Sequence, residues 1–265
     1  MLNVADLAIT SLDVISAFGM DGTPRFIMDE LQNANIAHSE EKQEIIGKGG
    51  RKLNSLKKNK AVTITGTNGL ISAGMLEAQV GSAFETKAST PVKWTDYLTV
   101  SGNAAATTYK AAGTAGAEIE ALYIKDTNGA ASTKLEQAAT PADGKFAYDP
   151  AAKALTFADN ALADGTEIVV FYTRHVAGDV LVNNSDHYSE KLQLYIDGTA
   201  EDKCANQYHV QFYIPKADFS GNFEIALGGD QAVHAFEAES LSGACGLSGA
   251  LWSYTVFGVD TADVA

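Results

Sequence analysis

The chain has 265 residues, of which 46% are hydrophobic, and its 33 acidic and 19 basic side chains give a formal net charge of −14 at pH 7. This length can form one large or two small cores, and without a run of about 18 apolar residues the sequence predicts no transmembrane helix. So acidic a chain is poorly suited to specific binding of duplex DNA, which needs clustered Lys and Arg to neutralise phosphates.

The N-terminal segment does not resemble a secretory signal, because it carries Asp6 and Asp13 and lacks a basic n-region. In a chain made in a cytoplasm, Cys204 and Cys245, which are 41 positions apart, are expected to be buried thiols. A disulfide between them remains an alternative.

The first 93 residues predict an extended arm between shorter elements. Residues 1–30 read as a lead-in with a turn at Asp21-Gly22 and a short strand over 25–28. A polar strand over 34–46 and a basic loop over 47–60 follow. The centre of that strand, SEEKQE, has no apolar face, so the arm is expected to be exposed or covered by a neighbouring molecule.

Charge is concentrated in this arm. From Lys42 to Lys60 there are seven Lys or Arg residues against one acidic residue, Glu44, so the segment carries +6 and the rest of the chain carries −20 of the total −14. A basic arm on an acidic body suits head-to-tail assembly of identical subunits. The alternative is a solvated loop that keeps the hairpin soluble. The candidate interface residues are Glu41, Lys42, Glu44, Lys48, Gly49, Gly50, Arg51, Lys52, Leu53, Lys57, Lys58 and Lys60.

A strand and one short helix are predicted after the arm. Residues 62–65 alternate with period two, as in a half-buried strand. The apolar stripe that starts at Leu70 predicts a helix that ends at a C-cap Gly81, with Thr67 or Asn68 as its N-cap. A loop is expected over 82–91.

Residues 94–176 predict an inserted β-sandwich of the immunoglobulin-like kind. The expected strands are 97–100, 107–111, 119–125, 145–148, 154–157 and 167–172. Glycine-containing turns separate them at Gly102, Gly116, Gly129, Gly144 and Gly165. The run Asn103–Ala106 reads as a weakly constrained surface loop.

Alternating strands return after residue 177, so the first domain is predicted to be discontinuous, over 1–93 and 177–265. The expected strands are 191–196, 209–214 ending at Pro215, 223–227, 233–238 and 251–257, with a small-residue connection over 242–246. The fold class is therefore mainly β, a sandwich or barrel domain with one short helix and a long hairpin arm, interrupted by a second small sandwich.

No catalytic, cofactor or metal site is predicted, so the chain is not expected to be an enzyme. None of the five histidines has metal-ligand spacing on one element, and Ser185-Asp186-His187 reads as a turn, because triad residues converge from separate elements. Trp94 and Trp252 are expected in cores. The same holds for six further aromatic residues, Tyr97, Tyr109, Tyr123, Phe146, Tyr148 and Tyr172.

Two segments carry a resemblance to a known family. They are Glu41–Leu53 with the helix Leu70–Gly81, and the C-terminal run from Glu201 to Phe219. This pattern of a polar arm, a basic glycine turn, a strand and a short helix resembles the tail tube and major tail proteins of bacteriophages. The inserted module is similar to β-sandwich insertions of virion proteins.

The resemblance implies a structural subunit of a phage tail, made in the bacterial cytoplasm and located in the virion. Such subunits form stacked, usually hexameric rings around a channel through which DNA passes without specific binding. The implied partners are copies of the same chain and other tail proteins, with no cofactor and no membrane. Two alternatives stay open: another virion protein of the capsid or its decoration, and a surface or carbohydrate-binding β module.

Overall fold

A computed structural model of the chain describes residues 6–126, 128–225, 233–242 and 249–258. Cys245 lies outside these residues, as do part of the predicted strand 223–227 and most of the predicted connection 242–246. No helix in the described ranges is long and apolar enough to cross a membrane. The chain forms two compact units, one of Met1–Phe84 with Leu181–Ala265 and one of Glu85–Val180.

The first unit is an eight-stranded antiparallel sheet with one helix in its described part. Its elements are β1 (Leu7–Gly19), β2 (Pro24–Met28), β3 (Leu31–Ile46), β4 (Lys52–Asn68), α1 (Ala73–Val80), β12 (Lys191–Asp202), β13 (Gln207–Phe219), β14 (His234–Ser240) and β15 (Ser253–Gly258). The strand order is β2-β1-β12-β13-β14-β4-β3, and β15 also pairs with β13. Its core combines β1, β4, β12 and β13 with the buried side of α1.

The lead-in expected over 1–30 is wrong, because its first part is the long strand β1. The strand pairs with β12 along its whole length, but the register shifts after Ile9 and again after Leu12. Each bulge moves the following side chains to the other face, so the apolar alternation that identifies a strand is interrupted twice. The predicted short strand over 25–28 is present as β2.

The predicted end of a strand at Pro215 is also wrong, since β13 continues to Phe219. Proline has no N–H to donate to a ladder, which normally confines it to edges and bulges. The pairing of β13 with β12 shifts register between Leu194↔Ile214 and Leu192↔Ala217. Pro215 therefore lies in a bulge, where the strand tolerates it.

The helix begins later than predicted. Asn68 donates its side-chain N–H to the Leu70 carbonyl at 2.7 Å, which holds residues 68–70 in a turn. Ser72 is the N-cap, accepting the Met75 N–H at 3.3 Å. The predicted C-cap Gly81 is confirmed, with φ of 68° and its N–H bonded to the Glu77 carbonyl. Leu70, expected on the buried stripe, is exposed.

The second unit is a seven-stranded sheet. Its strands are β5 (Glu85–Thr99), β6 (Ala104–Ala106), β7 (Ile119–Lys125), β8 (Ala131–Gln137), β9 (Lys145–Asp149), β10 (Ala154–Phe157) and β11 (Glu167–Val180), in the order β5-β11-β7-β8-β9-β10-β6. The pairing of β5 with β11 runs from Glu167↔Thr99 to Val180↔Glu85. The unit thus extends past 94–176 at both ends, and the loop expected over 82–91 is largely strand.

Turn residues of this unit were predictable, whereas two of its strands were not. Gly102, Gly116, Gly129, Gly144 and Gly165 all have positive φ, as their predicted turns require. The strand β8 was not predicted. The run Ala104–Ala106, expected as a loop, is the edge strand β6, which pairs with β10.

The strand predicted over 107–111 is absent, because side chains replace the ladder as its hydrogen-bond partners. The Asp96 carboxylate accepts the backbone N–H of Thr108 at 2.8 Å, and the Tyr172 hydroxyl accepts the N–H of Tyr109 at 3.0 Å. The Tyr148 hydroxyl accepts the N–H of Ala111, two residues farther along, at 2.9 Å. These bonds satisfy the backbone without a neighbouring strand.

Several aromatic residues expected in cores are on the surface. Tyr172 and Phe146 are buried as predicted, but Tyr97 is 75% exposed. Trp94 and Trp252 are each more than a third exposed. Cys204, expected to be buried, is exposed as well. The fold class itself is confirmed: the described chain is mainly β, with two sheets and one short helix, as in sandwich and barrel proteins.

Candidate assembly interface

The hairpin β3–β4 changes character along its length. Near its base one face belongs to the core, where Val62 and Ile64 of β4 are fully buried. Farther out, over residues 39–60, every residue is exposed except Gly47 and Ser55, which are half-buried. We call residues 39–60 the arm. It is a two-stranded ribbon with both faces open to solvent.

The turn at the end of the arm is short. The Gly47 N–H donates to the Arg51 carbonyl at 2.8 Å, and the Gly50 N–H donates to the Gly47 carbonyl at 3.2 Å. Gly49 and Gly50 have φ of 80° and 76°, a conformation that side chains with a Cβ rarely adopt. The basic loop predicted over 47–60 is therefore wrong in extent. Only 47–51 is a turn, and 52–60 belongs to β4.

All twelve predicted interface residues lie on this arm, and the pairing of its strands brings their charges together. Lys57 forms an ion pair with Glu40 at 2.6 Å, and Lys52 forms one with Glu44. The Asn59 amide donates to the Glu41 carboxylate at 2.7 Å. Part of the predicted positive charge is thus neutralised within the arm.

Sequence reasoning missed Glu40, because the counted segment began at Lys42. The arm as folded holds seven basic and three acidic residues, so its net charge is +4. The hydrogen bond that Lys57 donates to Glu40 lowers the pKa of Glu40 and so keeps this carboxylate ionised. A signal for this pair was present in the sequence. When the two strands form a hairpin, the acidic run SEEKQE lies opposite the basic run KKNK.

Five basic residues of the arm have no carboxylate within ion-pair distance in the described part of the chain. They are Lys42, Lys48, Arg51, Lys58 and Lys60, and Lys58 donates to the Gln43 amide oxygen instead. Lys48 and Arg51 lie in the turn, at the far end of the ribbon. These cations are available to a partner with acidic groups.

The arm also carries exposed apolar side chains. Of these, the predicted interface included only Leu53. Ile45, Ile46, Leu53 and Leu56 are all exposed, Leu53 by 67%. Ile45 pairs with Asn54, and Leu56 pairs with Gln43. Residues opposite each other share a face of the ribbon, so Ile45 and Leu56 lie on the same face, on a diagonal. Their signal in the sequence was two Ile and two Leu residues flanking a polar turn.

A family model matches residues 9–245, a range that includes the arm and the whole second unit. It describes the YomU/Tube protein family. The chain belongs to this family. Membership confirms the resemblance to bacteriophage tail tube proteins and makes the chain a component of a phage tail. No curated protein matches the chain.

Titratable side chains in the described ranges were compared with the arrangement that a metal ion requires. No group of three or more His, Cys, Asp or Glu residues converges there as a metal site. The buried Asp96 accepts hydrogen bonds from Trp94, Thr108 and Tyr172. Burial raises the pKa of Asp96, but these bonds outweigh that effect and leave it lowered. These hydrogen bonds connect β5 with β11 and with the backbone of Thr108.

Proposed function

We propose that this member of the YomU/Tube family is the structural subunit of the tail tube and has no catalytic role. Copies assemble into stacked rings of six, as the resemblance implies, around a channel for DNA. Synthesis takes place in the bacterial cytoplasm, and assembly follows there with other tail proteins. The arm is the element that joins one copy to the next.

The observation that carries this proposal is the exposed ribbon. A two-stranded hairpin with neither face covered is marginally stable in water by itself, yet this one continues for 22 residues beyond the core, from 39 to 60. Its unpaired cations and exposed apolar side chains have no use within the monomer. A second copy, with its acidic body, supplies both kinds of partner.

The sheet of the first unit supports ring closure. Its order begins with β2 and finishes with β3, so both end strands have an open side in the described chain. Edge strands pair readily with further strands, and a head-to-tail contact that closes by rotation forms a ring. The strongly acidic chain repels the DNA backbone, so DNA moves through the channel without binding.

Reversing the charge at the end of the arm tests this function. We expect K48E/R51E/K52E to keep the native circular dichroism spectrum and to lose polymerisation, because the exposed turn would then repel the acidic body of the next copy. Electron microscopy and sedimentation measure assembly. The matched control K110E/K134E/K145E makes the same charge change at exposed lysines of the second unit and should still polymerise. Full-length tubes from the arm variant would contradict the role of the arm.

One observation favours a second candidate, a carbohydrate-binding role for the second unit. Tyr97 and Tyr123 both pair with Val169 of β11 and so share one face of the sheet. Phe171 lies two residues along β11 on that face, with its ring 6.3 Å from that of Tyr123. This role requires glycan binding that Y97A/F171A weakens, whereas the tube function requires none.

A further inference from the structure

Arg174 of β11 lies against the faces of two aromatic rings in the second unit. The central carbon of its guanidinium is 3.4 Å from the centroid of the Tyr109 ring and 5.4 Å from the centroid of the Trp94 ring. The two rings meet edge to face, with their centroids 5.0 Å apart. A guanidinium is attracted to an aromatic face, so these rings restrict the otherwise flexible side chain of Arg174.

The guanidinium of Arg174 has no anionic partner in the described ranges. No carboxylate lies there within ion-pair distance of it, and it donates no hydrogen bond. Asp96 lies on the same face of the sheet, but both of its carboxylate oxygens accept hydrogen bonds from other groups. Glu120 pairs with Lys93, which is on the opposite face of β5. The N–H groups of Arg174 are therefore unused, although the chain has a net charge of −14.

Apolar side chains surround this guanidinium and remain partly open to solvent. Val92 is the partner of Arg174 in the pairing of β5 with β11, so the two side chains share a face of the sheet. Val92 is 38% exposed, and Trp94 and Tyr109 are each 37% exposed. The surface thus presents one cation beside apolar groups that a ligand can still cover.

This arrangement favours one class of ligand. The N–H groups of arginine lie in the plane of the guanidinium and form a fork that matches two oxygens of a carboxylate or a phosphate. Tyr109 covers a flat face of the guanidinium, so the N–H edge stays available to such an oxyanion. The apolar surface beside it favours an anion with an organic body, because covering that surface removes it from water.

We propose that Arg174 is the centre of a binding site for organic oxyanions, either carboxylates or phosphate esters. Its N–H edge binds two oxygens of the anion, and Val92 and Trp94 contact the apolar body of the ligand. Tyr109 is a positioning residue that holds the guanidinium. The site lies wholly in the second unit and goes beyond the assembly function proposed above.

Fluorescence of Trp94 measures binding at this site, because its ring lies beside the guanidinium. In the full chain, W252F leaves Trp94 as the single tryptophan. This chain is titrated with acetate, benzoate, inorganic phosphate and phenyl phosphate at constant ionic strength. We expect saturable changes, with benzoate about tenfold tighter than acetate and phenyl phosphate about tenfold tighter than phosphate. Comparison of benzoate with phenyl phosphate identifies the oxyanion that the site prefers.

Two further variants, made in the W252F chain, separate recognition from general charge attraction. R174K keeps the positive charge but loses the planar fork, so we expect about tenfold weaker binding. The control K134Q removes the charge of an exposed lysine of the same unit and should bind as the W252F chain does. Circular dichroism checks that each variant is folded.

The outcomes decide the inference without reference to assembly through the arm. Saturable binding that R174K weakens and K134Q leaves unchanged supports it. Equal binding by R174K and the W252F chain would overturn it, since the guanidinium fork would then play no part. A lack of saturable change with all four anions would also overturn it and leave Arg174 as a cover for the Tyr109 ring. Benzoate that binds no tighter than acetate would contradict the apolar part of the site.

Discussion

At the scale of single residues, His234 shows how a polar group is accommodated in the core of the first unit. Its side chain is fully buried, and its Nε2 lies 2.7 Å from the Gln79 Oε1. Gln79 donates its own N–H to the Ala235 carbonyl at 3.1 Å, so its oxygen faces the imidazole. His234 therefore carries its proton on Nε2, and the bond links α1 to β14.

Burial lowers the pKa of His234 below its ordinary value near 6.5. As the pH falls through about 6.5 the unfolded chain binds this proton first, so the free energy of unfolding should decrease with falling pH. Denaturant unfolding at a series of pH values between 8 and 5 measures this slope. In H234F the slope should be smaller, and an unchanged slope would show that another group causes it.

Individual residues of the arm differ in how predictable they were. Its basic residues were found from composition alone, because a run of lysines is visible without knowing the fold. Ile45 and Leu56 were not, because two aliphatic residues in a polar strand normally indicate a core-facing side. Only the register of the hairpin shows that this face has no core beneath it.

At the scale of elements, the boundaries of α1 depend on local hydrogen bonds more than on periodicity. The apolar stripe from Leu70 suggested an early start, but the Asn68 turn and the Ser72 cap delay it. Gly81 ends the helix in the left-handed conformation. A Cβ at this position would lie 2.0 Å from the Tyr188 carbonyl oxygen. The helix end and the 181–190 segment are thus in direct backbone contact.

G81A should therefore reduce the free energy of unfolding by about 2–4 kcal/mol, the sum of a left-handed backbone cost and an overpacking cost. Denaturant unfolding measures the change. The control G22A has a similar positive φ, with no atom within 4 Å of its added Cβ, and should lose only about 1 kcal/mol. Equal losses in the two variants would mean that contact with Tyr188 contributes nothing.

Strands were predictable where they alternate without interruption. The predicted bounds of β7 and β10 agree with the structure. The pairing of β10 has no register shift, and turn residues close β7 although its pairing shifts register near both ends. The strand β1 was missed for the opposite reason, since its two bulges interrupt the alternation. The irregular conformation of residues 107–111 depends on hydrogen bonds to Asp96, Tyr148 and Tyr172. Because these residues are distant in sequence, no local pattern could indicate it.

At the scale of the whole molecule, the charge asymmetry seen in the sequence remains but is smaller. The arm carries +4 rather than the +6 counted over Lys42–Lys60, because Glu40 and Glu41 belong to the same ribbon. Salt should therefore weaken assembly without abolishing the apolar part of the contact. The family membership could be anticipated from the arm and helix motifs, whereas the pairing of charges within the arm depends on the hairpin register and was beyond sequence reasoning.

Copies of this chain are proposed to assemble through the arm into a tube. Negative-stain electron microscopy of the purified, unmodified protein over a series of protein and salt concentrations tests it most directly. We expect stacked rings or hollow tubes at low salt, which shorten as salt screens the charges of the arm. A monomer at every protein concentration and every salt concentration would contradict it.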